Sequence, residues 1–163
     1  MNILLILNGN NIVDIKKLGL TFDYIVAVDG GYNHCIKQNI IPNEIIGDFD
    51  SINLKNNISN IRCIKLNKDK FYTDGEEALK YIINKFENIN NIFIVGFSDE
   101  DRIDHLINNI FFCAKYPSKK IYLIDNKNIL FFTNKSIELK YFEFIKYVSF
   151  FPITNIKNLT KQG

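Results

Sequence analysis

The 163-residue chain has a formal net charge of +2, with 47% hydrophobic and 23% charged residues. That balance fits a globular fold with a sizeable core and argues against a disordered or fibrous chain. Lysines are scattered with no basic block, so charge favours neither nucleic acid nor a membrane surface over a small ligand. No apolar run approaches the roughly eighteen residues of a membrane span, and the first residues lack a signal peptide's basic flank and cleavage site, so a cytoplasmic location is expected. Cys35, Cys63 and Cys113 have neither metal-ligand spacing nor the even count of a disulfide framework, and are expected to be reduced and buried.

In chain order, Ile3 to Leu7 is a continuous apolar run, the pattern of a strand covered on both faces in a parallel sheet, and Asn8-Gly9-Asn10 ends it. Ile12, Ile15 and Lys16 follow at helical spacing and Gly19 closes them. Tyr24 to Val28 is a second buried strand that stops at Asp29-Gly30-Gly31. Asp-Gly often makes a hairpin turn, but Tyr32 to Gln38 lacks period-two alternation, so a strand-to-helix turn is preferred. Its two glycines allow a backbone to approach a ligand closely. Pro42 precedes a third strand, Glu44-Ile45-Ile46, which runs into Gly47-Asp48-Phe49-Asp50-Ser51. In an extended segment Asp48 and Asp50 point to one side, where their oxygens can converge on a hard cation, while Phe49 faces packing. A solvated acidic turn is the competing reading of such a pair.

Ile61 to Leu66 is a fourth strand. Thr73 and Glu76 have the spacing of a capping box, opening a helix from Asp74 to about Glu87 that buries Ala78, Leu79, Ile82, Ile83 and Phe86. Asp74 sits in the first turn, where the helix dipole alone favours a carboxylate. Asn91 to Val95 is a fifth strand ending at Gly96; an acidic loop follows, and Arg102-Ile103-Asp104-His105 opens a helix with Leu106, Ile110, Phe111 and Ala114 as apolar positions. Asp29, Asp48 and Arg102 all follow strand ends, and in open α/β sheets ligands bind outside the carboxyl ends of the strands. After Pro117, Lys120 to Ile124 and Asn128 to Phe132 flank Asp125-Asn126-Lys127 as a hairpin or a crossover to an edge strand. Ile137 to Pro152 is rich in β-branched and aromatic residues. The expected fold is therefore α/β over residues 1–118, a mostly parallel, Rossmann-like open sheet with flanking helices. An incomplete all-β region follows over 119–163, with the chain expected to be cut inside it because a few strands would leave an unpaired edge.

Four segments stand out in fixed order: Val28-Asp29-Gly30-Gly31-Tyr32-Asn33, Gly47-Asp48-Phe49-Asp50-Ser51, Thr73-Asp74 with Glu77-Ala78-Leu79, and Arg102-Ile103-Asp104-His105 with Asn109. Together they resemble the catalytic domain of the thiamine pyrophosphokinases over roughly residues 3–116, and Val148-Ser149-Phe150-Phe151-Pro152 resembles the start of that family's C-terminal β-sandwich. The resemblance implies magnesium-dependent transfer of a pyrophosphoryl group from ATP to the hydroxyl of thiamine, giving AMP and thiamine diphosphate, in a homodimer. It makes Asp48, Asp50 and Asp74 the magnesium ligands, with Asp50 or Asp74 as the acceptor or orienter of the hydroxyl proton. Asp29, Gly30, Gly31, Asn33, Lys70, Thr73, Arg102, Asp104, His105 and Asn109 would hold the nucleotide. The chemistry agrees, because a transferring polyphosphate needs metal, cations and N–H donors more than covalent help.

Two departures accompany the match. Phe71 stands where the family usually has an aspartate two residues before the threonine of Thr-Asp, with Asp69 nearby. Asp99-Glu100-Asp101 replaces a glycine-rich turn before the arginine. Alternative readings keep the fold but change the acceptor to another small alcohol or a pterin, or reduce the chain to a degenerate nucleotide-binding module.

Overall fold

Apolar runs with no polar alternation need cover on both faces, and the observed sheet supplies it. A computed structural model describes residues 1–50, 60–67, 72–99, 101–139, 145–155 and 160. Its strands are β1 (Asn2–Ile6), β2 (Tyr24–Val28), β3 (Glu44–Gly47), β4 (Arg62–Lys65), β5 (Asn91–Val95), β6 (Ile121–Ile124) and β7 (Ile129–Phe131), in the order β4-β3-β2-β1-β5-β6-β7. All neighbours are parallel except β6 and β7. The three helices are α1 (Gly31–Lys37), α2 (Asp74–Lys85) and α3 (Ile103–Ala114), and a 3-10 turn spans Ile15–Leu18. Strand order steps from β1 through β2 to β4 on one side, then jumps back to β5 on the other. The reversal at β1/β5 makes the carboxyl end of that pair the topological switch point.

Two apolar layers follow from the pleat. Leu5, Val26, Ile46 and Ile94 pack on one face with Ala78, Leu79 and Ile82 of α2 and Phe112 and Cys113 of α3. Leu4, Ile6, Ala27 and Ile45 pack on the other with Tyr32 and Cys35 of α1 and Ile15 of the 3-10 turn. Phe49 packs on this second layer, as its place in the acidic segment predicts. At the amino end of β3, Glu44 is fully buried and its Oε1 meets the Lys85 ammonium, the Tyr81 hydroxyl at 3.2 Å and the Arg62 guanidinium at 3.4 Å.

Several expectations are corrected. The sheet does not end near residue 118: β6 and β7 form a hairpin that extends it, held at its tip by the Asp125 carboxylate accepting from the N–H groups of Lys127 and Asn128 at 2.7 Å. The first compact unit accordingly runs Met1–Phe132 and the second Thr133–Gly163. Among the described residues of the second unit there is no helix or strand. On α3 the buried aromatic is Phe112, while Phe111 is 55% exposed, because a one-residue step on a helix turns the side chain by about 100°. Cys35 and Cys113 are buried as expected, but Cys63 on the edge strand β4 is exposed.

Candidate active site

The carboxyl ends of β2 and β3 carry the acidic cluster. Parallel register pairs Val28 with Ile46, so Asp29 lies against Gly47. The contact is tight: a Cβ on Gly47 would stand 3.0 Å from both Cα and Cβ of Asp29, so any side chain there would have to push the two strand ends apart by a few tenths of an ångström. Asp29 itself turns with φ 48°, and Phe49 with φ 67°, both in the left-handed region. The segment after Gly47 is therefore a turn and not the extended strand that the sequence pattern predicts; the Asp50 N–H donates to Asp48 Oδ1 at 3.1 Å. The convergence survives by this other route. One carboxylate oxygen each from Asp29, Asp48 and Asp50 lies within 4.8 Å of the others, with Asp50 the exposed member.

The trio differs from the predicted ligand set in one place. Asp29, assigned to the nucleotide from the sequence, stands in the cluster, and Asp74 stands outside it at the first position of α2. The signal for Asp29 was available: two adjacent parallel strands, each followed at once by an aspartate. The glycines after Asp29 also have a structural duty, since a Cβ on Gly31 would sit 2.0 Å from the Ile6 carbonyl oxygen and one on Gly30 would strike the Asn8 side chain. Their close approach is thus to the end of β1. Asn33 lies one turn further along α1.

Across the switch point, the loops after β1 and β5 are laced together. The Gly9 N–H donates to the Gly96 carbonyl at 2.8 Å, and the Asn10 side-chain amide to Asp99 Oδ1 at 3.2 Å. The same Asp99 oxygen accepts from the Asp101 N–H at 3.2 Å, so this carboxylate is engaged in its own loop. Next in sequence, the Arg102 guanidinium makes two parallel bonds to Asp104, at 2.9 and 2.7 Å. That fork holds the Asp104 carboxyl down at about 2, first through the hydrogen bonds and then through charge. His105 is half exposed beside them, its Nε2 3.9 Å from Asp104. Asn109 is buried, and its amide donates to the Phe97 carbonyl, anchoring α3 to the end of β5.

Thr73 is the N-cap of α2, as the capping-box spacing predicts; its hydroxyl oxygen accepts from the Glu76 N–H. The Glu76 carboxylate does not reach back in the reciprocal bond. It is buried and paired with Lys115 at 2.7 Å and Lys80 at 3.6 Å. Lys70, with the departures at Phe71 and Glu100, lies outside the described residues.

A mostly parallel open sheet with helices on both faces defines a doubly wound α/β protein, here with a carboxylate cluster and an arginine at the carboxyl ends of its strands. Within that class, the family model "Thiamin pyrophosphokinase, catalytic domain" matches residues 15–124, and the chain belongs to that family. It is 32% identical over 149 residues to the thiamine pyrophosphokinase of Bacillus subtilis, covering 85% of this chain and 67% of that protein. Among solved structures, the fold is similar to thiamin pyrophosphokinase from Geobacillus thermodenitrificans (TM-score 0.67, 25% identity, 80% of this chain and 62% of that one). It is likewise similar to that from Bacillus subtilis (TM-score 0.66, 29% identity, 79% and 63%). The chain thus spans a little under two thirds of the length of those structures.

Proposed function

We propose that the chain is the ATP- and metal-binding part of a thiamine pyrophosphokinase, moving the pyrophosphoryl group of ATP onto the hydroxyl of thiamine and releasing AMP, with magnesium and as a cytoplasmic homodimer. The observation that carries the reading is the convergence of Asp29, Asp48 and Asp50 at the ends of adjacent strands. The donor set fits magnesium: all oxygen, all anionic, and within 4.8 Å, close to the roughly 4 Å that separates opposite ligands of an octahedral ion, so small rotations of the side chains suffice. Bound there, the ion would neutralise the charge of the polyphosphate. Asp50, the exposed member of the trio, is the residue we assign to accept or orient the proton of the thiamine hydroxyl, with Asp74 at the first position of α2 as the other candidate.

On the nucleotide side, Arg102 supplies a cation at the start of α3, with the His105 imidazole beside it. Arg102 donates two hydrogen bonds to Asp104, which hold the guanidinium in place, and phosphate oxygens would compete for the same fork. The Asp29-Gly30-Gly31 turn presents its backbone, with Asn33 and Lys70 as further donors. Incubating the full chain with magnesium, ATP and thiamine should yield AMP and thiamine diphosphate. Asp48→Asn and Asp50→Asn should each slow AMP release by about a hundredfold or more. Release of ADP, or turnover no faster with thiamine than without it, overturns the reading.

A further inference from the structure

Two donors reach the hydroxyl oxygen of Thr73. One is the Glu76 N–H at 3.3 Å, which caps α2; the other is the side-chain amide of Asn108, from the middle of α3, at 3.2 Å. A hydroxyl oxygen has two acceptor lone pairs and one hydrogen to give. Both lone pairs are occupied here, so the hydrogen is the polar capacity that remains.

The same contact joins two helices whose starts carry candidate site residues, Asp74 on α2 and Arg102, Asp104 and His105 beside α3. Neighbouring contacts make that join stiff. Lys115, closing α3, donates to the buried Glu76 at 2.7 Å, and Phe112 and Cys113 of α3 pack in one apolar layer with Ala78, Leu79 and Ile82 of α2. Adjacent asparagines thus anchor α3 in two directions, Asn109 to the end of β5 and Asn108 to the cap of α2. Only the second reaches a residue of the candidate site.

We propose that Asn108 is a positioning residue. Through Thr73 it registers the start of α2, with Asp74, against the start of α3, with Arg102 and His105, and it leaves the Thr73 hydroxyl as a dedicated donor to a phosphate oxygen. The role rests on the pyrophosphokinase reading. It differs from a merely structural bond in acting through one atom, the Thr73 oxygen.

A double-mutant cycle at a temperature well below every variant's unfolding midpoint tests it. Asn108→Ala should lower kcat about five- to tenfold, the size of one neutral hydrogen bond, with a smaller change in the KM for ATP. In a Thr73→Val background the same substitution should change kcat less than twofold, whereas Thr73→Ser, which keeps the hydroxyl, should retain the full Asn108 effect. An unchanged kcat in Asn108→Ala, or an equal loss in the wild-type and Thr73→Val backgrounds, overturns the proposal. If the wild-type chain releases no AMP, the functional reading falls and the role that rests on it falls too, whereas AMP release with an unchanged kcat in Asn108→Ala overturns the Asn108 role alone.

Discussion

Replacing Gly31 with alanine separates two reasons for the glycine pair after Asp29. If the glycines serve only to let a ligand approach, alanine at either position should leave stability unchanged or raise it, because alanine is the better helix former by up to about 1 kcal/mol. The structure demands otherwise at one of them. A Cβ at position 31 stands 2.0 Å from the oxygen and 2.8 Å from the carbon of the Ile6 carbonyl, backbone atoms in the middle of the sheet. Relieving that overlap requires α1 to retreat from β1 by about 1 Å, which strains the seating of Tyr32 and Cys35 in the core. Overpacking of this kind costs about 1–3 kcal/mol, and loosened burial of two core side chains adds a further part, for an expected loss of about 3 kcal/mol. At Gly30, by contrast, the nearest atoms belong to the Asn8 side chain, which can rotate away, and the backbone is ordinary right-handed helix. Gly30→Ala should cost less than about 1 kcal/mol. Urea unfolding with a slope of about 2 kcal/mol per molar turns these into midpoint shifts of about 1.5 M and under 0.5 M. A Gly31→Ala chain as stable as wild type, or no less stable than Gly30→Ala, would refute the packing argument.

Three other outcomes are expected. Lys85→Met removes the close partner of the fully buried Glu44, leaving that carboxylate with Arg62 and Tyr81 alone, and should destabilise by about 3 kcal/mol in urea unfolding; adding Glu44→Gln should recover much of the loss. Burial, and then the nearby Lys37 charge, lowers the His34 pKa, so below about pH 6.5 the unfolded chain binds a proton the folded one does not; stability should fall on acidification by up to about 1.4 kcal/mol per pH unit, and His34→Gln should lose that slope. Asp29→Asn keeps a residue that tolerates positive φ and removes one of the three converging carboxylates, so it should shrink the rise in melting temperature that magnesium produces in a thermal-shift assay.

Much of the fold was legible because its signals are local. Four strands, β1, β2, β3 and β5, that read as apolar runs stopping at Asn-Gly, Asp or Gly, with Gly19 and Thr73 as stop and start, depend on neighbours in sequence, and each element lies where those neighbours put it. What was not legible depends on tertiary contacts. The rotational setting of α3 is decided by the Phe112 contact with the α2 layer, which Phe111 matches equally well as a pattern. Hairpin residues 121–131 read as the start of another region because an antiparallel edge strand on a parallel sheet has the same texture as an all-β domain. At the site, Asp48 and Asp50 were visible as a pair, but Asp29 joins them only through the register of β2 on β3 and the missing side chain of Gly47.

That third carboxylate also separates the two readings of the acidic segment. Among the described residues, three that are not glycine have positive φ: Asp29, Asn39 and Phe49. Asn39 lies just past the end of α1, where a left-handed residue commonly closes a helix. The other two stand at the ends of β2 and β3, Phe49 at a cost of roughly 1–2 kcal/mol and Asp29 as a residue that enters this region more easily, and the turns set Asp29 beside Gly47 and fold Asp50 back onto Asp48. Strained backbone and crowded negative charge therefore coincide at the same few residues. A solvated acidic turn accounts for Asp48 and Asp50, whose short polar side chains suit a bend, but it gives no reason for a neighbouring strand to spend conformational energy on bringing a third carboxylate within 4.8 Å. In the magnesium reading we propose, a hard cation would do so, its charge offsetting the repulsion and its coordination shell taking the converging oxygens.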